Sequence, residues 1–579
     1  MSGVWEGPAP LRTAGLPGAP LRARILEARG LGDAAAAALF LDPKLTQLHD
    51  PALIPDLDKA ARRILAACGG GEPVVIYGDY DVDGVSATAI LFHLLTHLYP
   101  NAAIGTYVPH RIDEGYGLSS EAIRSLAAGG ARVIVSVDCG ITAIEPARVA
   151  RECGLDLIIT DHHNPPASLA DLPDAYAVVH PRRPDSTYPF GDLSGSAVAF
   201  KLAWRLASLY HGVGDEPGGK VPVSTREVLL EMLGLASLGV IADIVPLVGE
   251  NRVLARFGLS RIRDSKIPGL RALVEASGLA GERVAADDVG FRLGPRLNAC
   301  GRLGHAKEAV ELLTVARGER ADAIARQLSE LNDERRRIER RIADEACELA
   351  ERAGMTGDHH RAIVLAAEGW HAGVIGIACS RLVDRYSRPV ILLARSGDDC
   401  HGSGRSIDGF NLHGALEACR EHLSSFGGHD MAAGLRVSSE RFDAFARAFI
   451  GHANAALAPD DLVKTIRYDT YASLDELSAA AVSELSRLAP FGRENPGIRV
   501  RLTGLRVQGK PRPLGADGRH ASLVVRSGGV AMRLIGWNWW DRLANLPTDA
   551  EIEAIVEPKV SSWTGAPCVE GELADLRTV

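Results

Sequence analysis

Between residues 72 and 180 the chain alternates short, continuously apolar runs with stretches of helical spacing. The runs lie at 74–77, 133–137, 155–160 and 177–179. Apolar residues at every position, and not at every second one, suit strands buried on both faces, so a parallel sheet flanked by helices is predicted. Helical periodicity follows at 198–210 and 226–241, and 320–353 reads as one long polar helix. A second alternation starts near Arg361, with a strand at 362–366, a helix at 374–386, a strand at 390–394, and Gly-rich turns at 402–404 and 427–428. From about 464 short alternating segments (498–502, 521–525, 531–535) with Gly/Pro punctuation predict a small barrel. The expected class is α/β: an N-terminal extension (1–45), a parallel-sheet domain (46–265), a helical linker region (266–355), a smaller α/β domain (356–460) and a C-terminal β-barrel (461–579). Residues 1–40 carry no interpretable signal, and no internal repeat is found.

Composition narrows this picture. With 579 residues, 46% hydrophobic and 24% charged, the chain has material for several cores and is not disordered. Its nine cysteines form no CxxC pair and their number is odd, which argues against a disulfide framework or zinc knuckle and suits a reducing cytoplasm. No signal-type leader and no uninterrupted apolar stretch of ~18 residues is seen, so no membrane association is expected. The net charge of −9 excludes a protein that coats nucleic acid by bulk electrostatics; a local groove would be needed.

The informative chemistry is acidic. Gly78-Asp79-Tyr80-Asp81-Val82-Asp83-Gly84 places three aspartates at the end of a predicted strand, before a helix expected near Val85. One aspartate would cap that helix. Three crowded carboxylates repel one another unless positive charge lies among them, and hard divalent cations are the obvious source. The pattern recurs: Asp138 follows the run 133–137, and Asp161-His162-His163 follows 155–160. Ligands of open α/β sheets gather at such strand ends. Asp243, closing the helix 226–241, could reach inward as a further ligand. The set suits two adjacent divalent cations, which phosphoryl-transfer hydrolases use to activate water and to offset charge on phosphate oxygens. Mixed Asp/His ligation favours manganese, with magnesium the alternative.

The stretches 79–84, Asp138-Cys139-Gly140 and Asp161-His162-His163 resemble motifs of the DHH phosphoesterase superfamily, and Gly427-Gly428-His429 with Ala432-Ala433-Gly434 resembles its DHHA1-type substrate domain. Further signatures narrow the resemblance to the bacterial RecJ family of single-strand-specific 5′→3′ exodeoxyribonucleases. They are Val108-Pro109-His110-Arg111, Glu114-Gly115-Tyr116-Gly117, Gly294-Pro295-Arg296-Leu297-Asn298, His371-Ala372-Gly373-Val374-Ile375-Gly376, Gly402-Ser403-Gly404-Arg405-Ser406 and Pro490-Phe491-Gly492. The resemblance runs from about residue 41 onward, with His110 standing where the family more often has Asn.

It implies that Asp81 and Asp138 hold one metal, with Asp79 near it. Asp83, Asp138, His162 and Asp243 would hold the other, Asp138 bridging. His163 would face the scissile phosphate and Asp161 would orient its neighbours. Arg111, Ser403 and Arg405 would take a terminal 5′-phosphate. Arg296, Asn298 and Arg302, read as a turn, and His371, Gly427, Gly428 and His429 would contact DNA. The implied activity is release of nucleoside 5′-monophosphates from single-stranded DNA in recombination and repair. The implied partners are a strand with a 5′ end, a helicase and a single-strand-binding protein, the enzyme being a monomer. Rival readings are a superfamily oligoribonuclease or nucleotide phosphatase, and a non-catalytic single-strand-binding scaffold.

Other features read more plainly. The arginines at 335–341 alternate with Glu334, Glu339, Asp344 and Glu345, as on a solvated, salt-bridged helix. His93 and His97 lack a third ligand and read as helix-face residues. Trp537, Trp539, Trp540 and Trp563 fall in the barrel, which resembles an OB fold; each could stack bases or fill the core.

Overall fold

The computed structural model describes residues 3–8, 20–111, 114–215, 219–561 and 567–579. They divide into two compact units: one of residues 43–341 with 490–495, the other of 1–42, 342–489 and 496–579.

The first unit is built on a five-stranded, wholly parallel sheet in the order Ile104–Tyr107, Val74–Gly78, Val133–Val137, Asp156–Thr160, Ala177–Val179. Both faces are covered. Val74, Ile76, Val133, Val135 and Ile158 pack with the helices Val82–Leu98, Gly195–Tyr210 and Val223–Ala242, while Tyr77, Ile134, Leu157 and Ile159 join a cluster with the helices Ser120–Ala128 and Ile144–Glu152. This two-sided burial is why the strands read as unbroken apolar runs. Chain order reverses between Val74–Gly78 and Val133–Val137, and the crevice at such a reversal is where doubly wound sheets bind ligands.

Three expectations need correction here. The helix after the first acidic stretch starts at Val82, not near Val85, because Asp81 is its N-cap and accepts from Asp83 N and Gly84 N at 2.9 and 3.1 Å. Arg296, Asn298 and Arg302 lie in the helix Gly294–Leu303, not in a turn; Pro295 opens it, and it continues a π-helical segment, Val289–Leu293. In the helix Gly318–Arg352, Arg335 is not solvated: it is buried and pairs with Glu339 at 2.6 Å and Asn332 at 2.7 Å. Pro490, in the segment that leads to the barrel, belongs to this unit. Its carbonyl accepts from Arg252, and the carbonyl of Arg493 accepts from Leu247 N.

The second unit holds a mixed five-stranded sheet, Ser425–Gly428, Ala432–Ser438, Asp399–Arg405, Val390–Ser396, Ile363–Glu368, with the helices Ile375–Tyr386 and Phe442–Ala456. The stretches 402–404 and 427–428, expected as turns, are strand. Gly402 and Gly404 are small because Leu435, Leu393 and Leu412 press on them: an added Cβ would sit 2.8–3.0 Å from those side chains. The barrel strands Val500–Leu514, His520–Ser527, Val530–Gly536, Cys568–Thr578 and Glu551–Ser561 close on themselves through pairing of the first with the last, as the short-segment pattern predicts. Residues 3–8 and 20–29, silent in the sequence, are part of this unit. Val4–Glu6 pairs in parallel with Thr465–Arg467, Trp5 Nε1 donates to the buried Asp575 at 2.6 Å, and Arg29 grips Asp469 at 2.7 Å. No described helix is long and apolar enough to cross a membrane.

Candidate metal centre

Five of the six predicted acids leave neighbouring strand ends. Asp79, Asp81 and Asp83 follow Val74–Gly78; Asp138 follows Val133–Val137 in a left-handed conformation (φ 63°) that turns its side chain out of the strand path. Asp161-His162-His163 follows Asp156–Thr160, and Asp243 is the C-terminal cap of Val223–Ala242. Ligand atoms of Asp79, Asp81 and Asp138 lie within 4.8 Å of one another, as do those of Asp83, His162 and Asp243, and those of Asp138, His162 and His163. His162 Nε2 stands 3.2 Å from Asp138 Oδ1, 3.5 Å from Asp243 Oδ2 and 3.9 Å from Asp83 Oδ2.

Three of these atoms, Asp79 Oδ1, Asp138 Oδ1 and His162 Nε2, are buried without a hydrogen-bond partner. Such orphans are costly in a protein interior unless something else satisfies them. Burial, then the charges of neighbouring aspartates, hold Asp79 and Asp138 well above the ordinary carboxylate range. The same causes raise Asp81 and push Asp243 up to about 9. Burial lowers His162 to about 4, leaving a neutral imidazole with a lone pair to offer. Oxygen-rich sites with imidazole suit divalent cations of the manganese and magnesium type, so the donor set fits the group that the sequence calls for.

The remaining members hold the cluster in shape. Asp83 caps the helix Gly195–Tyr210, accepting from Ser194 Oγ (3.0 Å), Gly195 N (2.6 Å) and Ser196 N (2.9 Å). These partners were missed in the sequence; the Ser-Gly-Ser before a helical run was the available signal. Glycine is required twice here. A Cβ on Gly195 would lie 2.4 Å from Asp138 Oδ1, and one on Gly239 would lie 2.0 Å from Asp83 Oδ1. Asp161 accepts from His162 N, His163 N and His163 Nδ1 through Oδ1, and from Ile141 N through Oδ2. Burial opposes charge on His163, but its bond to Asp161 and the surrounding acids win and raise it to about 9; Asp161 falls below its ordinary range despite burial, through the same bond. His180 and Arg182, also missed, bond the carbonyls of His163 and His162 at 2.7 Å each.

Among the predicted contact residues, Arg111 lies in this unit, its guanidinium 4.9 Å from the centre of the Tyr80 ring. Asn298 Oδ1 accepts from Val82 N at 3.2 Å, so it braces the acidic loop. Arg296 turns to Ser329 and to the Arg292 carbonyl. Arg302 lies near enough to Tyr80 for its charge to bear on the phenol. His93 and His97 are packed helix residues bonded to the Leu313 carbonyl and Thr225.

The other predicted contacts lie in the second unit. Ser403 and Arg405 occupy the strand Asp399–Arg405, not a loop, and converge at the start of the helix Ile375–Tyr386: a Cβ on Gly376 would meet Ser403 Oγ at 3.0 Å and Arg405 Nη2 at 3.2 Å. His371 Nδ1 accepts from Gly373 N just before that helix. Gly427 aligns with Gly434, and Gly434 with Ser403, and nothing stands within 4 Å of where either glycine's Cβ would be; His429 closes the hairpin through the Ala432 carbonyl. In the barrel Trp537 is half exposed against His520, Trp539 lies under Arg542, Trp540 starts a short helix, and Trp563 falls outside the described residues.

Comparison with known proteins agrees with this geometry. Residues 73–234 match the model of the DHH family, N-terminal domain; 359–455 match the DHHA1 domain and 468–575 the RecJ OB domain. The single-stranded-DNA-specific exonuclease RecJ of Bacillus subtilis is 37% identical over 570 residues, covering 96% of this chain and 69% of its own. That of Escherichia coli is 35% identical over 84% of each chain. The crystal structure of RecJ in complex with Mn2+ from Thermus thermophilus superposes with a TM-score of 0.81 at 31% identity, over 99% of this chain and 79% of that one; the Mg2+ complex gives 0.75 at 29%. With three domains in that order, and relatives matched over more than two thirds of their length, this chain belongs to the RecJ family.

Proposed function

We propose that the chain is a metal-dependent exonuclease that hydrolyses single-stranded DNA from its 5′ end to nucleoside 5′-monophosphates, in recombination and repair. The observation that carries this reading is the convergence of three buried, unpartnered ligand atoms (Asp79 Oδ1, Asp138 Oδ1 and His162 Nε2) at the sheet's reversal point. The cofactor is divalent metal. Asp79, Asp81 and Asp138 would hold one ion and Asp83, Asp138, His162 and Asp243 a second, with manganese preferred because imidazole joins the carboxylates. Bound ions of this kind supply an activated water and offset the charge that develops on phosphate oxygens.

The chain's own groups do the rest. Asp161 accepts from His163 Nδ1 and would orient the ring toward the phosphate. Ser194, Gly195 and Ser196 fix the Asp83 carboxylate, so little reorganisation accompanies ligation. Ser403 and Arg405, at a helix start, and Arg111 offer donors suited to a terminal 5′-phosphate. A helicase and a single-strand-binding protein would deliver the strand to a monomeric enzyme.

The test uses 5′- and 3′-labelled single strands, duplex and short oligoribonucleotides with manganese, beside Asp81→Ala and Asp138→Ala. Loss of the 5′ label first, on single strands only and not by the variants, is expected. Activity confined to dinucleotides, or binding without cleavage, would overturn the reading in favour of a small-substrate phosphodiesterase or a scaffold.

A further inference from the structure

Two tyrosines beside the acid cluster have no role in the reading above. Tyr80, half-buried, lies between Asp79 and Asp81; Tyr116 comes five residues after Arg111 and is 55% exposed as a residue. The rings meet edge to face, with centroids 6.3 Å apart at 77°. Tyr80 also carries the Arg111 guanidinium, 4.9 Å from the centre of its ring. Tyr116 in turn sets its hydroxyl 3.2 Å from the His163 ring nitrogens and donates to the Asp138 carbonyl at 3.4 Å, its ring 5.6 Å from the imidazole. The Tyr80 backbone is itself held: a Cβ on Gly301 would fall 2.9 Å from the Tyr80 carbonyl, so the helix Gly294–Leu303 lies directly against that carbonyl.

We propose that Tyr80 and Tyr116 are positioning residues, an aromatic bracket that holds Arg111 at one end and His163 at the other, at a set separation across the carboxylate cluster. The inference rests on the nuclease reading, in which Arg111 and His163 both face phosphates. Its physical basis is that a long arginine side chain is floppy and is drawn toward nearby acids. The charge of Arg111 does bear on Asp79. Without a ring to stack on, the guanidinium would collapse into the metal centre and leave the substrate. Tyr116 does the corresponding work for the imidazole, joining the end of the Asp138 strand to the His163 strand.

The experiment compares steady-state cleavage of 5′-phosphorylated and 5′-hydroxyl single strands by the full chain with manganese. Tyr80→Leu should raise KM for the phosphorylated strand about five- to tenfold, the scale of a lost cation–π contact, with kcat within about twofold. Its preference for the phosphorylated end should shrink to that of Arg111→Ala, and the double variant should be no worse than Arg111→Ala alone. Tyr80→Phe, which keeps the ring, should restore the preference. Tyr116→Phe should lower kcat about tenfold with KM unchanged. Equal behaviour of Tyr80→Leu and Tyr80→Phe, or additive losses in the double variant, would overturn the proposal. If Tyr80→Leu loses its fold on thermal melting, Tyr80→Met makes the same comparison. A parent protein that cleaves no single strand defeats the nuclease reading; an active parent with unaltered Tyr80 and Tyr116 variants defeats the bracket alone.

Discussion

Burial of Asp79, Asp138 and Asp243, reinforced by the charges of neighbouring aspartates, sets how the metal-free protein answers to pH. Their folded-state pKa values lie above the ordinary carboxylate value, to about 9 for Asp243. The folded state therefore holds protons that the unfolded chain has released, and stability falls as pH rises from about 4 through about 9. Cations need the ionised carboxylates and reverse this trend. In thermal melts between pH 6 and pH 8.5, the EDTA-treated protein should lose stability with rising pH while the increment from manganese grows. An increment that stays flat would count against ligation by these acids. Asp138→Asn isolates the effect, since asparagine tolerates the left-handed backbone at this position. The variant should melt about 2 °C higher than the parent in EDTA, the cost of protonating a buried acid having gone, yet gain nothing from manganese. A melting point below the parent's in EDTA would show that the carboxylate is not strained.

At the scale of elements, the cluster depends on a helix start brought to it from far along the chain. Gly195→Ala would place a methyl 2.4 Å from Asp138 Oδ1 while leaving the helix that begins there intact. Manganese affinity, followed by calorimetry, should fall about tenfold or more with helical content unchanged; unaltered affinity would mean that the pair can separate without cost. This dependence also marks what the sequence could tell. The buried strands were legible because parallel packing demands unbroken apolar runs, and their acidic ends followed from that. The edge strand Ile104–Tyr107 was not, since Ile-Gly-Thr-Tyr is only half covered and shows no run. Gly402-Ser403-Gly404 looked like a turn because glycine marks turns, whereas here it makes room for leucines. Ser194 and Tyr116 could not be attached to the site by spacing: 111 residues separate Ser194 from Asp83 and 47 separate Tyr116 from His163.

For the molecule as a whole, an acidic protein of net charge −9 must bind a polyanion. Cations in the cluster remove most of the local repulsion, so metal should govern binding as well as cleavage. Fluorescence anisotropy with a phosphorothioate-capped single strand should show affinity at least about tenfold weaker in EDTA than in manganese. Equal affinities would place the binding surface elsewhere. Connectivity has its own consequence. Trp5 is synthesised 570 residues before its partner Asp575. On the ribosome the indole must wait, unpaired, until the strand Cys568–Thr578 emerges. The strand Val4–Glu6 can pair with Thr465–Arg467 earlier, but the bond from Trp5 to Asp575 closes only at the end of synthesis, which makes it a checkpoint that a chain cut short before Cys568 does not pass.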